Sequence, residues 1–101
     1  MEVTQERNGT GLVLHISGRI DTMTAPELET IVREAIDGLT ELVFDLGGTA
    51  YISSAGLRIL LLAQKRMNRQ GTMSVRNVSK DLMDIFEVTG FLHILTIEEG
   101  T

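Results

Sequence analysis

Hydrophobic and polar positions change period several times along the chain, and those changes mark its elements. Leu12, Leu14 and Ile16 recur at every second residue, the period of a strand with one buried face. Residues 1–7 before them read as a short edge strand. Asn8-Gly9-Thr10-Gly11 between the two runs is turn chemistry, because Asn and Gly accept positive φ. Together they predict a β-hairpin. Residues 18–23 then read as a loop. From Leu28 the period lengthens. Leu28, Ile31, Val32, Ala35, Ile36 and Leu39 follow the spacing of one helix face. Thr24 and Glu27 stand at capping-box distance in front of that helix, and Pro26 falls in its first turn. Gly38 is its expected stop.

Glu41–Leu46 predicts a strand, Gly47-Gly48-Thr49 a loop, and residues 50–52 a brief extended piece. Ser53-Ser54 opens a second helix whose inward stripe is Leu57, Leu60, Leu61 and Met67. Lys65, Arg66 and Arg69 suit its C-terminal end, where the macrodipole favours cations, and Gly71 ends it. Met73–Val78 is a further strand. Ser79 can cap a third helix with Leu82, Ile85 and Phe86 inside and Gly90 as its stop. Ile94–Ile97 is a last short strand. The order ββαβαβαβ predicts an α/β fold: a mixed, mostly parallel β-sheet packed with α-helices, its first strand antiparallel. A chain of 101 residues without repeat or linker makes one domain, with its core over about residues 3–98. The pattern leaves the strand order open.

Composition narrows the function classes. Hydrophobic residues make up 43% of the chain and aromatics only 4%, so the core must be aliphatic. Nine Lys and Arg against 14 Asp and Glu give a net charge of −5, which argues against nucleic acid as a partner. There is no cysteine, so thiol catalysis is out and a reducing cytoplasm fits. The longest apolar run is the five residues Ile59–Ala63, far short of the ~20 of a membrane helix, so no membrane insertion is expected.

Catalytic chemistry is scarce. No phosphate-binding loop and no dinucleotide fingerprint is present. His15, in a strand, and His93, in a loop, have no second ligand at a metal spacing and read as structural; no metal or cofactor is expected. Residues 52–56 half-match a nucleophile elbow: Ser54 and Gly56 fit, but Ile52 replaces the first glycine. One of Ser53 and Ser54 suffices to cap the helix, leaving the other free. Gly56 stands in the first turn, where Ala is better by roughly 0.5–1 kcal/mol, so a bare backbone suits something approaching closely. A helix N-terminus also accommodates a phosphate. These features point to a phosphorylatable serine on a binding module rather than to an enzyme.

The segments Gly18-Arg-Ile-Asp21, Thr24-Ala-Pro-Glu-Leu28, Asp45, Tyr51-Ile-Ser-Ser-Ala-Gly-Leu57, Asn77-Val-Ser79 and Thr89-Gly90 together resemble the STAS domain. More narrowly they resemble the bacterial anti-sigma factor antagonists, over about residues 3–98. The resemblance implies a partner switch. The unmodified protein binds an anti-sigma factor of the GHKL serine-kinase type and frees a sigma factor. The kinase phosphorylates the serine two residues before the glycine of the Gly-Leu pair, and a PP2C-type phosphatase resets it. That serine is Ser54, with Ser53 the alternative acceptor. The family's best-known form has Asp before the serine and Ser after it; this chain has Ser53 and Ala55. Asp21, Met23, Thr24, Ser53, Ser54 and Gly56 are the expected partner surface. Asp21 is expected to serve the interface rather than the fold, and Met23 to offer an adaptable exposed contact. The other function such a domain serves is as an accessory subunit of a lipid-transport ABC complex or another signalling assembly.

Overall fold

The computed structural model describes residues 1–99. Strands β1 (Glu2–Asn8) and β2 (Gly11–Ile20) form the expected antiparallel hairpin, closed at Gly9 with φ 63°. Helix α1 (Ala25–Ala35), strand β3 (Glu41–Ile52), helix α2 (Ser54–Met67), strand β4 (Thr72–Val78), helix α3 (Lys80–Thr89) and strand β5 (Ile97–Glu99) follow. The order is ββαβαβαβ, with a single 3₁₀ turn, Phe91–His93, before β5.

The sheet order is β1-β2-β3-β4-β5, and every pair after the hairpin is parallel. Each strand therefore lies beside the one preceding it in the chain. Crossovers of one hand between successive neighbours place all their helices on the same side. The burial agrees. Leu12, Leu14 and Ile16 of β2, Leu42, Phe44 and Leu46 of β3, and Met73 and Val75 of β4 are buried against Leu28 and Val32 of α1, Leu60 and Met67 of α2, and Leu82 and Phe86 of α3. The opposite face carries His15, Ser17, Asp45, Ser74 and Arg76, all half-buried.

Several elements differ from the sequence reading. Strand β2 runs on through Gly18 to Ile20, where the pattern predicts a loop. Strand β3 is one strand of 12 residues, with no loop at Gly47-Gly48-Thr49. The reason is a register that slips by one β3 residue between His15 and Ser17, and again between Gly18 and Arg19. Each slip is a bulge that absorbs an extra residue without ending the pairing. At Gly48 a Cβ would stand 2.8 Å from Ser17 Cβ, so glycine lets the strands close. Thr49, buried beside it, donates its hydroxyl to the Ile16 carbonyl at 2.8 Å.

Helix α1 ends at Ala35, three residues before Gly38, whose φ of 80° shapes the turn that follows. In α2 the buried stripe includes Ile59, Ala63 and Gln64, while Leu61 is only half-buried. Ile85 of α3 is likewise half-buried. The last strand starts at Ile97 rather than Ile94, because Phe91–His93 coil into the 3₁₀ turn and leave Ile94 exposed. Among the described residues no helix is long and apolar enough to cross a membrane.

Candidate functional site

The C-terminal ends of β2 and β3 lie side by side, Arg19 opposite Tyr51 and Ile20 opposite Ile52. Ser53 N–H then donates to the Ile20 carbonyl at 2.8 Å, fixing the start of α2 against the end of β2. Ser53 has extended backbone, and its Oγ accepts from the Gly56 N–H at 3.4 Å. Ser53 is therefore the N-cap. Ser54, the first residue of α2, is exposed, and among the described residues its hydroxyl has no hydrogen-bond partner. The two neighbouring serines thus divide the tasks: one ties down the helix, the other is free.

The first turn of α2 holds no acidic residue, whereas α1 has Glu27 and α3 has Asp81 there. Helix α2 itself therefore supplies no side-chain anion to the positive end of its dipole.

Gly56 departs from its expected role. It is buried, and a Cβ on it would lie 2.6 Å from Ile20 Cγ2 and 2.7 Å from Ile52 Cγ1. Its glycine answers to the core and not to an outside ligand. It lets the helix sit directly on the two isoleucines at the ends of β2 and β3.

The loop into α1 forms the other half of the site. Thr24 is the N-cap residue of α1 by position, but its side chain makes no capping bond, so the expected capping box does not form. Its hydroxyl donates to the Arg19 carbonyl at 2.8 Å and accepts from the Asp21 N–H at 2.8 Å. Asp21 takes over the turn: its Oδ1 accepts from the N–H groups of Met23 and Thr24, both at 3.0 Å. The Thr24 N–H leads the interactions that hold the Asp21 carboxyl below its ordinary value, so the group stays ionised. Asp21 therefore has a fold role besides any interface role. Its other oxygen lies 3.8 Å from Arg19 Nε.

Two residues that sequence reasoning missed complete the surface. The Arg19 guanidinium lies 4.4 Å over the Tyr51 ring, a cation–π pair held by the strand register. Their signal was the alternation that turns Arg19 and Tyr51 away from the buried Ile20 and Ile52. Met23, at 87% exposure, projects freely from the same loop. Asp21, Met23, Thr24, Ser53 and Ser54 thus gather at one end of the sheet, the end where its parallel strands finish. That end is where α/β folds place their binding loops.

The STAS domain family matches residues 2–100, and the chain is a member of it. Among curated relatives, BtrV of Bordetella bronchiseptica, assigned as an anti-sigma factor antagonist, is 32% identical over 96% of this chain and 85% of its own length. The anti-sigma-B factor antagonist of Staphylococcus aureus is 28% identical over 85% of this chain and 82% of its own. Among solved structures, the anti-sigma factor antagonist SpoIIAA in its unphosphorylated form superposes with a TM-score of 0.78 at 14% identity, covering 99% of this chain and 90% of that one. The Bacillus cell fate determinant SpoIIAA in its phosphorylated form gives 0.75 at 15% identity, covering 95% and 90%. Those two likenesses establish the fold.

Proposed function

We propose that this chain is an anti-sigma factor antagonist working as a phosphorylation-controlled partner switch in the cytoplasm. It is a ligand and a substrate, not an enzyme. In the unmodified state the surface formed by Asp21, Met23, Thr24, Ser53 and Ser54 binds an anti-sigma factor of the GHKL serine-kinase type. Transfer of a phosphoryl group to Ser54 releases the partner, and a PP2C-type phosphatase restores binding. The names of BtrV and the staphylococcal relative support the antagonist role. That SpoIIAA exists in phosphorylated and unphosphorylated forms supports the switch.

The observation that carries the reading is the exposed, unpartnered hydroxyl of Ser54 at a helix start whose cap is already supplied by Ser53. A phosphate on Ser54 adds about −1.5 to −2 charges. On the free protein it meets a helix end with no acidic neighbour in the first turn, a favourable interaction of about 0.3–1 kcal/mol. Covered by a partner, the same charge goes unpaired at a cost of roughly 2–5 kcal/mol. The second effect is larger, so modification ejects the partner and leaves the fold standing.

The test is phosphorylation of wild type, Ser53→Ala and Ser54→Ala by the cognate kinase, read by mass spectrometry, with partner affinity and thermal melting measured on each product. Wild type and Ser53→Ala should be labelled and Ser54→Ala should not. Full labelling of Ser54→Ala rejects Ser54 as the acceptor, and partner affinity within about threefold before and after phosphorylation, or a loss of binding that comes only with unfolding, rejects the switch.

A further inference from the structure

The helix-free face of the sheet carries a chain of polar interactions across four strands. His15 of β2 stands between two carboxylates. Its Nε2 lies 2.9 Å from Glu6 Oε1 on β1, and its Nδ1 lies 2.8 Å from Asp45 Oδ2 on β3. The other oxygen of Asp45 accepts from the Gly47 N–H at 2.9 Å and from Asn77 Nδ2 at 3.0 Å. Arg76 of β4 brings its Nε to 4.0 Å from Asp45 Oδ2. Glu2 is the remaining carboxylate that β1 places on this face. Among the described residues no three such groups are arranged to hold a metal ion.

The number of protons decides how this cluster works. A carboxylate only accepts. A neutral imidazole has one N–H to give, and an imidazolium has two. Both ring nitrogens of His15 face carboxylate oxygens, so only the cation satisfies both of them.

We propose that His15 is a proton-dependent latch, fastening the edge strand β1 to the sheet when doubly protonated and letting Glu6 go when neutral. The two carboxylates are unequal, and that inequality sets which hydrogen bond breaks. The Asp45 side chain is 15% exposed and anchored by Gly47 and Asn77, whereas that of Glu6 is 70% exposed on an edge strand. The neutral ring keeps its proton on Nδ1, toward Asp45, and turns a lone pair toward Glu6. The hydrogen bond that opens is therefore the one tying β1 to β2. Little else but the backbone ladder holds β1, since all its side chains except Val3 are exposed. The hydrogen bonds to Glu6 and Asp45 raise the His15 pKa above its ordinary 6.5, so the latch is fastened at pH below that ordinary value and opens as pH rises through the raised one.

The experiment follows the ring and the strand together by NMR on the full chain, at about pH 5.5 and about pH 9. Long-range proton–nitrogen spectra should show both His15 nitrogens protonated at the lower pH and the Nδ1–H tautomer at the higher. Amide protection in β1, corrected for intrinsic exchange and taken relative to β3, should fall about two- to fivefold over that range, as expected for one partly exposed ion pair. In Glu6→Gln the amide can donate to the neutral ring, so the fall should vanish. An Nε2–H tautomer at high pH, or an equal fall in Glu6→Gln, overturns the latch.

Discussion

Phe44 and Asp45 are neighbours on β3 that face opposite sides of one sheet, and little else about their surroundings is alike. Phe44 is fully buried beneath the helices. Asp45 looks onto a face that no helix among the described residues covers, held by polar partners from its own strand and both neighbouring ones. Parallel sheets usually have both faces clad and read as unbroken apolar runs. Here the strictly sequential strand order sends every crossover to one side, so the second face must be made tolerable to water. The comparison teaches that the helix side holds the molecule together, while the bare side and the sheet's end are free to carry charged and polar groups.

The strongest way to break this contrast is Phe44→Ala. It should cost about 3–5 kcal/mol in denaturant unfolding, whereas Asp45→Asn beside it should cost far less. Equal losses would mean that the bare face is as much a core as the covered one. Next comes Gly56→Ala. A helical glycine replaced by alanine normally gains roughly 0.5–1 kcal/mol, but the new Cβ would collide with Ile20 and Ile52, an overpacking worth about 1–3 kcal/mol. The net effect should be a lower melting temperature. A higher one would return Gly56 to the role of a clearing for a partner. Ser53→Ala should cost about 0.5–2 kcal/mol through removal of the cap, and Ser54→Ala close to nothing. If calorimetry reverses that order, the division of tasks between the serines is wrong.

The smallest effect is a pH window. Burial pushes the Asp45 carboxyl up, but hydrogen bonds from Asn77, the Gly47 N–H and His15 outweigh it and bring it below its ordinary 3.8. That contribution is present above the ordinary carboxylate value and is lost as pH falls through the depressed one. His15 has the opposite sign: its contribution is complete below 6.5 and is lost as pH rises through its raised value. The network should therefore stabilise most in the mildly acidic range between them, by about 0.2–1 kcal/mol for a histidine so open to solvent. His15→Gln should flatten the alkaline side of the stability profile; an unchanged slope would assign that slope to other groups.

The helices were legible from their apolar spacing, because that period depends only on neighbours along the chain. Ser53-Ser54 and the Gly-Leu pair were legible for the same reason. What the sequence concealed depended on pairing between distant segments. Gly47-Gly48 has the composition of a loop, and only pairing with the bulged part of β2 makes it strand. Thr24 and Glu27 have capping-box spacing, yet Asp21 takes the Thr24 N–H, and the Thr24 hydroxyl is engaged by the Arg19 carbonyl and the Asp21 N–H. The role of Gly56 required knowing that Ile20 and Ile52 converge beneath it. The cluster at His15 needed Glu6, His15 and Asp45 brought level by two registers, neither of which is written in any one segment.

The sheet order β1-β2-β3-β4-β5 also bears on how the chain is made. A ribosome releases a protein from its N-terminus, and domains fold as their parts emerge. In this topology no strand has to wait for a later one to be inserted beside it. Each strand can be added to an edge already present: β3 to the hairpin, β4 to β3 and β5 to β4. An order of this kind permits vectorial growth, like laying planks outward from a wall, with short loop closures. Stalled nascent chains of increasing length should therefore gain protease resistance in steps, one after β3 with α2 and another after β4 with α3. A single late step once the whole chain has emerged would show that the order of the sheet leaves no trace in its synthesis.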